Sequence, residues 1–149
     1  MSTTTSAELA TQVYEVFISA TPEAIWEAIT KPEFTERYFH GARVENTPTR
    51  YRAFGPAGEN WGDSPTFEFD PPRKLVHGWQ SLYDAHLAEE EPSRVTWEIE
   101  PQDGGVCKLT VTHDQLEGAP KTAAAVSGGW MTILTGLKAL LETGRGLAD

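Results

Sequence analysis

The sequence predicts an α+β fold in which a curved antiparallel β-sheet wraps around a long C-terminal α-helix, with two short helices after the first strand. Residues 120–146 carry apolar side chains at three- and four-residue spacing, which gives a helix one wide apolar face. Most of residues 13–112 have the composition and alternation of strands. A helix that follows such strands buries its apolar face most economically against the concave side of the sheet. The apolar helix residues are Val126, Trp130, Ile133, Leu134, Leu137 and Leu141.

The length and composition fit a single domain. A chain of 149 residues can bury a substantial core, and we expect one domain at residues 13–146 after a flexible polar tail at residues 1–12. The net charge is −10, from 22 acidic and 12 basic residues. Such a surface repels phosphate backbones, so we expect no nucleic-acid partner. Cys107 is the only cysteine, which excludes an intrachain disulfide.

The sequence lacks the patterns of secreted and membrane proteins. No apolar run approaches the roughly 20 residues that cross a bilayer, and the first residues lack the basic and apolar segments of a secretory signal. We therefore expect a cytoplasmic protein without a membrane span. A homodimer is compatible with the sequence.

The first elements are a strand and two short helices. Residues 13–19 are rich in β-branched and aromatic side chains and are predicted as a strand. The Thr21 hydroxyl can cap the next helix, and Pro22 suits the first position of that helix. Trp26 falls on the apolar face of the same helix. A second short helix is expected at residues 33–39.

The chain between these helices and the long helix is predicted as strands and turns. Residues 55–65 are rich in glycine and proline and predict a loop or a wide hairpin. Asp103-Gly104 is typical of a tight hairpin turn, and the acidic run around Glu90 is predicted to be a solvated turn. The predicted strands are residues 42–45, 50–54, 66–70, 74–82, 93–100 and 106–113.

Four segments in this order resemble a known family. They are SATPEAIWEAIT, FEFDPPRKLVHGW, SRVTWEIEPQDGGVCKLTVTH and GGWMTILTGLKALLETG. Residues 13–144 resemble START-like domains of the SRPBCC superfamily, which have a helix-grip fold. They are most similar to bacterial homologues of the C-terminal domain of the heat-shock-protein ATPase activator. The resemblance implies an apolar cavity between sheet and helix, but the superfamily includes lipid carriers, hormone receptors and polyketide cyclases, so it predicts function less specifically than fold.

The aromatic residues are the strongest candidates for a binding site. Trp and Tyr combine a large apolar area with one polar group, which suits a ligand of mixed character. Strand residues two apart share a face, and Gly128-Gly129 in the long helix has no side chain to fill the space opposite. This glycine pair also predicts a kink or a late helix start. We therefore predict a mainly apolar cavity for a hydrophobic or aromatic small molecule. The predicted ligand-binding residues are Phe67, Phe69, His77, Trp79, Trp97, Val111, His113 and Trp130.

The sequence shows no metal-binding or catalytic motif. The four histidines lack the spacing of metal ligands and have no cysteine partners, so we expect neither a metal nor another cofactor. His77 and His113 share strand faces with apolar residues, which fits hydrogen-bonded core histidines. Proton transfer near neutral pH is the alternative. No nucleophile and base stand together, and we assign no catalytic residue.

Three functions are open from the sequence. The first is a small-molecule binding protein with an internal cavity. The second is an enzyme similar to polyketide cyclases or hydrolases, which requires His77, His113, Tyr83 or Arg37 to face the cavity. The third is a homologue of the co-chaperone that activates a chaperone ATPase, although the resemblance covers one domain only.

Overall fold

The computed structural model describes residues 10–145, which form one seven-stranded antiparallel sheet and five helices. In chain order the elements are β1 (Gln12–Ile18), α1 (Pro22–Thr30), α2 (Pro32–Thr35), β2 (Arg43–Asn46), β3 (Arg50–Phe54), β4 (Asn60–Asp70), β5 (Lys74–Trp79), α3 (Ala85–Ala88), β6 (Ser93–Pro101), β7 (Cys107–Asp114), α4 (Pro120–Ser127) and α5 (Gly129–Thr143). The strands lie in the order β1-β7-β6-β5-β4-β3-β2. The predicted α+β helix-grip fold is confirmed.

The described residues cover the last three residues of the predicted tail and nearly all of the predicted domain. Residues 1–9 of the expected tail and residue 146 of the expected domain lie outside the described residues. Within the expected tail, Ala10 is buried and Gln12 begins β1. The Gln12 side-chain amide donates to the Ala123 carbonyl at 2.9 Å, which ties β1 to α4.

The core lies between the concave face of the sheet and one side of α5. Trp130, Leu134 and Leu137 of α5 are buried in the same cluster as Val95 of β6 and Leu109 of β7. Burial of large apolar side chains is the main stabilising contribution in a domain of this size. This packing fixes the position of α5 along the sheet.

The helices after β1 form as their capping residues predict, although the second is shorter. The Thr21 hydroxyl accepts a hydrogen bond from the Ala24 backbone N–H at 3.1 Å and so caps α1. The predicted helix at residues 33–39 is only α2, Pro32–Thr35. The Thr35 side chain ties the end of α2 to the following segment, because its hydroxyl donates to the Ala42 carbonyl at 3.0 Å and accepts from the Val44 N–H at 2.7 Å.

Of the two predictions for residues 55–65, the hairpin is confirmed and the loop is wrong, because β3 and β4 pair antiparallel across this segment. The turn between β3 and β4 occupies only residues 55–59, and β4 already begins at Asn60. Gly58, with φ +86°, supplies the left-handed backbone of this turn. Gly62 stands inside β4, where an added Cβ would lie 3.2 Å from the Tyr51 ring. Glycine at this position therefore marks a close approach of a ring to the strand rather than a loop.

A β-bulge in β4 changes the faces of its residues. The register with β5 shifts between Thr66 and Glu68, so Phe67 is the extra residue. Both Phe67 and Glu68 consequently point outward, and Phe67 is 62% exposed. Phe69 returns to the inner side and packs edge-on against Trp26 of α1, with ring centroids 5.1 Å apart.

The strand predicted at residues 74–82 ends at Trp79, and a short helix follows. The Asp84 carboxylate accepts from the backbone N–H groups of His86 at 2.8 Å and Leu87 at 3.2 Å. These bonds cap α3, whose four residues are too few to show helical periodicity in the sequence. The turn through residues 80–84 brings Tyr83 against Trp61 of β4.

The long C-terminal helix is interrupted at Gly128, which divides it into α4 and α5. The interruption falls at the predicted glycine pair, and the late helix start is wrong because residues 120–127 are already helical. Glu90, predicted in a solvated turn, instead caps α4, because its carboxylate accepts from the N–H groups of Lys121 at 2.9 Å and Thr122 at 2.7 Å. Burial opposes ionisation of Glu90, but these hydrogen bonds outweigh it and lower the pKa of the carboxyl.

Replacing Gly128 with alanine should raise the free energy of unfolding by about 0.5–1 kcal/mol. Gly128 has right-handed angles, φ −90° and ψ −23°, and an added Cβ would have no atom within 4 Å. Alanine therefore fits without strain and restricts only the unfolded chain. Urea unfolding measures the change. Gly144→Ala is the matched control, since its φ of +79° is left-handed and alanine there should destabilise; equal effects at both sites would contradict the assignment.

Among the described residues, one helical stretch is long and apolar enough to cross a membrane. It is Pro120–Thr143, and it meets the criterion by length and composition alone. A core helix meets the same criterion, and here Trp130, Leu134 and Leu137 are buried against the sheet. The absence of a membrane span stays a prediction.

Candidate binding site

A pocket of about 290 Å³ lies between the β3–β5 part of the sheet and the junction of α4 with α5. Its wall is mostly apolar, and the pocket is partly open to solvent. Six of its thirteen lining residues are small or aliphatic, six carry Phe, Tyr or Trp rings, and the last is His40. The aromatic residues in the wall are Phe39, Tyr51, Trp61, Trp79, Tyr83 and Trp130.

Trp79 joins the aromatic wall together. Its ring centroid is 5.7 Å from that of Tyr51 on β3, 5.5 Å from that of Trp130 on α5 and 6.4 Å from that of Phe39. These separations are typical of packed aromatic pairs. Trp79 therefore connects three rings from other segments into one aromatic cluster.

Two aromatic residues and a histidine stand at the mouth of the pocket. The rings of Trp61 and Tyr83 meet edge-on at 6.0 Å, and Tyr83 is 54% exposed. His40 is exposed and has a left-handed backbone, with φ +54°. This conformation is uncommon for non-glycine residues, although histidine adopts it more often than most. His40 takes it in the turn that leads into β2.

His77 lies behind the wall and is fully buried. The Trp97 indole N–H donates to its Nε2 at 3.1 Å, and its Nδ1 lies 2.7 Å from the Gly78 carbonyl oxygen. An indole nitrogen only donates, so Nε2 must be the acceptor and Nδ1 must carry the proton. The imidazole is thus a neutral ring with both nitrogens engaged, and Tyr51 stacks on it at 4.1 Å.

His113 has the same arrangement on β7. The Trp130 indole N–H donates to its Nδ1 at 3.1 Å, and its Nε2 lies 2.7 Å from the Ser93 hydroxyl. The neighbouring carboxylate, Asp114, is paired with Arg94 instead. Nδ1 is therefore the acceptor and Nε2 the donor, again in a neutral ring.

Burial keeps both histidines neutral. It lowers the pKa of His77 to about 4, with the Gly78 hydrogen bond opposing. It lowers the pKa of His113 to about 3, with a further contribution from His77 nearby. A protonated imidazole has no acceptor for an indole N–H, so protonation would also break one Trp–His hydrogen bond in each pair. The geometry is that of hydrogen-bonded core histidines, not of proton-transfer groups at neutral pH.

The structure brings only two of the eight predicted ligand-binding residues to the pocket, Trp79 and Trp130. Four others, Trp97, Val111, His77 and His113, lie on the concave face as predicted but are buried behind the wall. Phe69 packs under α1, and Phe67 lies on the outer face because of the bulge. The structure therefore does not place these six in contact with the pocket.

The structure adds pocket residues that the sequence did not single out as ligand-binding. Tyr51 alternates inward with Ala53 along β3, so the strand pattern itself was a usable signal. Trp61 lies in the segment predicted as a loop or a wide hairpin, for which no strand face was assigned. Phe39 and His40 lie in a turn whose direction depends on tertiary packing, and no local pattern marks them.

The remaining candidate groups for chemistry lie elsewhere. The Arg37 guanidinium donates to the Gly144 carbonyl at 2.8 Å and is not part of the pocket wall. Within residues 10–145, no group of three or more His, Cys, Asp or Glu side chains is arranged to hold a metal ion. Cys107 is buried, and burial raises the pKa of its thiol.

The curved seven-stranded sheet and the long helix across its concave face define a START-like, helix-grip domain. Residues 19–142 match the family described as Activator of Hsp90 ATPase homolog 1-like protein. The chain belongs to this family. No curated protein matches the chain.

Solved structures share the fold at low identity. Protein MLL2253 from Mesorhizobium loti is 22% identical, with a TM-score of 0.71 over 89% of this chain and 96% of that one. The Aha1 dimer from Colwellia psychrerythraea is 16% identical, with a TM-score of 0.71 over 91% and 98%. DynU16, from the dynemicin biosynthetic locus, is 20% identical, with a TM-score of 0.69 over 92% and 49%. These similarities show the fold alone.

Proposed function

We propose that this protein binds a small, largely apolar aromatic molecule in the pocket between the sheet and the α4–α5 junction. The observation that carries the proposal is the pocket itself, about 290 Å³ of space lined by aromatic rings that pack against one another. Ligand pockets are typically concave and apolar with few polar groups, and their size begins near this volume. The similarity to DynU16, a protein from a biosynthetic locus, is consistent with a small-molecule role.

The polar groups near the pocket support binding rather than catalysis. His77 and His113 are neutral and use both ring nitrogens in hydrogen bonds. Arg37 lies outside the pocket wall. These three groups therefore give no support to the cyclase or hydrolase alternative. Tyr83, the fourth group that this alternative could use, does line the pocket, at its exposed end. The pocket offers no argument for the co-chaperone alternative.

A homodimer is a separate proposal. The outer face of β1 exposes Val13 and Phe17, which are 58% and 52% accessible. β1 is an edge strand of the sheet, and the structurally similar protein from Colwellia psychrerythraea is described as a dimer. An exposed apolar pair at an edge suits contact with a second copy.

A leucine at Gly129 should abolish binding of an apolar aromatic probe, whereas a leucine at Gly128 should not. Gly129 lines the pocket, and an added Cβ there would meet only the His40 Nε2, at 3.6 Å. Leucine therefore fits the helix and occupies the mouth of the pocket. Gly128 is the matched control, since a Cβ there meets nothing within 4 Å and the residue is not in the wall.

Calorimetric titration with 2-isopropenylnaphthalene tests this proposal. We expect saturable binding to the wild type and to Gly128→Leu, and at least a tenfold loss in Gly129→Leu. Equal binding by both leucine variants, or no binding by the wild type, would refute the pocket as the site. Thermal melts of both variants confirm that each is folded.

A further inference from the structure

The Tyr51 hydroxyl is a hydrogen-bonding group in the pocket wall that has no partner among residues 10–145. The residue as a whole is only 3% exposed. Its oxygen is nevertheless not among the fully buried unpartnered polar atoms of the described residues, so it keeps some accessible surface. Because Tyr51 lines the pocket, a bound molecule can reach this hydroxyl and supply the partner it lacks.

The other buried donors of the wall are already in use. The Trp130 indole donates to His113 at 3.1 Å, and the Trp79 indole donates to the Ser81 hydroxyl at 3.1 Å. Trp61 is half-buried and stands at the mouth with the exposed His40 and Tyr83. Tyr51 is therefore the buried side chain of the wall whose donor is not engaged by another of residues 10–145.

Packing fixes the position of the Tyr51 ring. The ring lies parallel to His77 at 4.1 Å with an interplanar angle of 3°, and Gly62 on the neighbouring strand β4 leaves room for its edge. A donor that is held in place before binding loses little conformational freedom when the ligand arrives. Burial also raises the pKa of the Tyr51 hydroxyl, so the group keeps its proton.

We propose that the Tyr51 hydroxyl determines ligand specificity by donating a hydrogen bond to a neutral oxygen acceptor on the bound aromatic molecule. This inference rests on the proposed function. The acceptor is neutral because an apolar wall penalises a buried charge. An aryl ketone is the simplest molecule of this class, in which the rings fill the aromatic wall and the carbonyl oxygen reaches Tyr51.

Two probes of the same shape separate the hydrogen bond from apolar contact. 2-Acetylnaphthalene carries a carbonyl oxygen where 2-isopropenylnaphthalene carries a methylene group. We expect Tyr51→Phe to reduce the preference for the ketone over the alkene by about 3- to 10-fold, because one hydrogen bond is lost. Binding of the alkene should change little, since the phenyl ring keeps the stack on His77. Tyr14→Phe is the control, because the Tyr14 hydroxyl bonds to Gln12 and Ser127 outside the pocket wall.

Infrared spectroscopy of the bound ketone gives a second readout that does not depend on the variant alone. The carbonyl stretch should lie at lower frequency in the wild-type complex than in an apolar solvent. An unchanged ketone preference in Tyr51→Phe together with an unshifted carbonyl band would overturn the role of Tyr51 and leave the proposed function intact. Failure of both probes to bind the wild type would instead overturn the proposed function, and this inference with it.

Discussion

Replacing Trp130 with alanine should lower the free energy of unfolding by about 3–5 kcal/mol. The Trp130 ring is 1% exposed and packs at 5.5 Å against both Trp97 and Trp79, so its loss leaves a large cavity in the core. The substitution also removes the donor to His113 Nδ1, and a buried acceptor without a partner costs further free energy. Urea unfolding followed by circular dichroism measures the change.

Met131→Ala is the matched control for this prediction. It lies next in α5 but is 43% exposed, so alanine there should change the free energy of unfolding by no more than about 0.5 kcal/mol. A loss below about 1 kcal/mol for Trp130→Ala would mean that α5 is not packed against the sheet as described.

Acidification from pH 7 to pH 5 should lower the free energy of unfolding by about 4 kcal/mol. Burial lowers the pKa of His77 to about 4 and that of His113 to about 3, whereas both bind a proton near pH 6.5 in the unfolded chain. The unfolded state therefore takes up more protons than the folded state below pH 6.5. Each histidine contributes up to about 1.4 kcal/mol per pH unit in this range. The stabilisation is complete above pH 6.5 and is lost as the pH falls towards the folded-state values.

A histidine variant separates this effect from general acid sensitivity. Ordinary carboxyl pKa values lie near 4, so the histidines dominate between pH 7 and pH 5. His113→Gln should lower the stability at pH 7 but reduce its pH dependence to about half. An unfolding free energy that is constant across this range in the wild type would show that the two imidazoles are not buried in neutral form.

The sequence contains enough information for the fold because its local signals agree with one another. Thr21 and Pro22 begin a helix, and the alternation through Trp97 and Val111 places those residues on the concave face. The apolar spacing around Trp130 predicts a helix that packs there. Local and tertiary preferences point to the same structure, which is typical of natural domains.

The pocket was harder to predict than the fold. Strand alternation shows on which face of the sheet a side chain lies, but not whether another side chain covers it. The alternation correctly assigns His77 to the inner face, but it cannot show that the Tyr51 ring covers it. The inserted residue Phe67 breaks the period of two, and no residue type marks such a bulge. Gly62 lies in a segment whose glycine and proline content is typical of a turn, although the residue itself stands in β4. In each case the deciding contact is between two strands, and the sequence of either strand alone does not show it.

The central claim, that the pocket binds an apolar aromatic molecule, is tested most directly by a two-dimensional ¹H–¹⁵N NMR titration with 2-isopropenylnaphthalene. We predict saturable shifts of the indole N–H signals of Trp61 and Trp79 and of the Gly129 backbone N–H, which surround the pocket. Signals from the outer face of β1, such as those of Val13 and Phe17, should not move. Shifts confined to β1, or no saturable shift anywhere, would contradict the account.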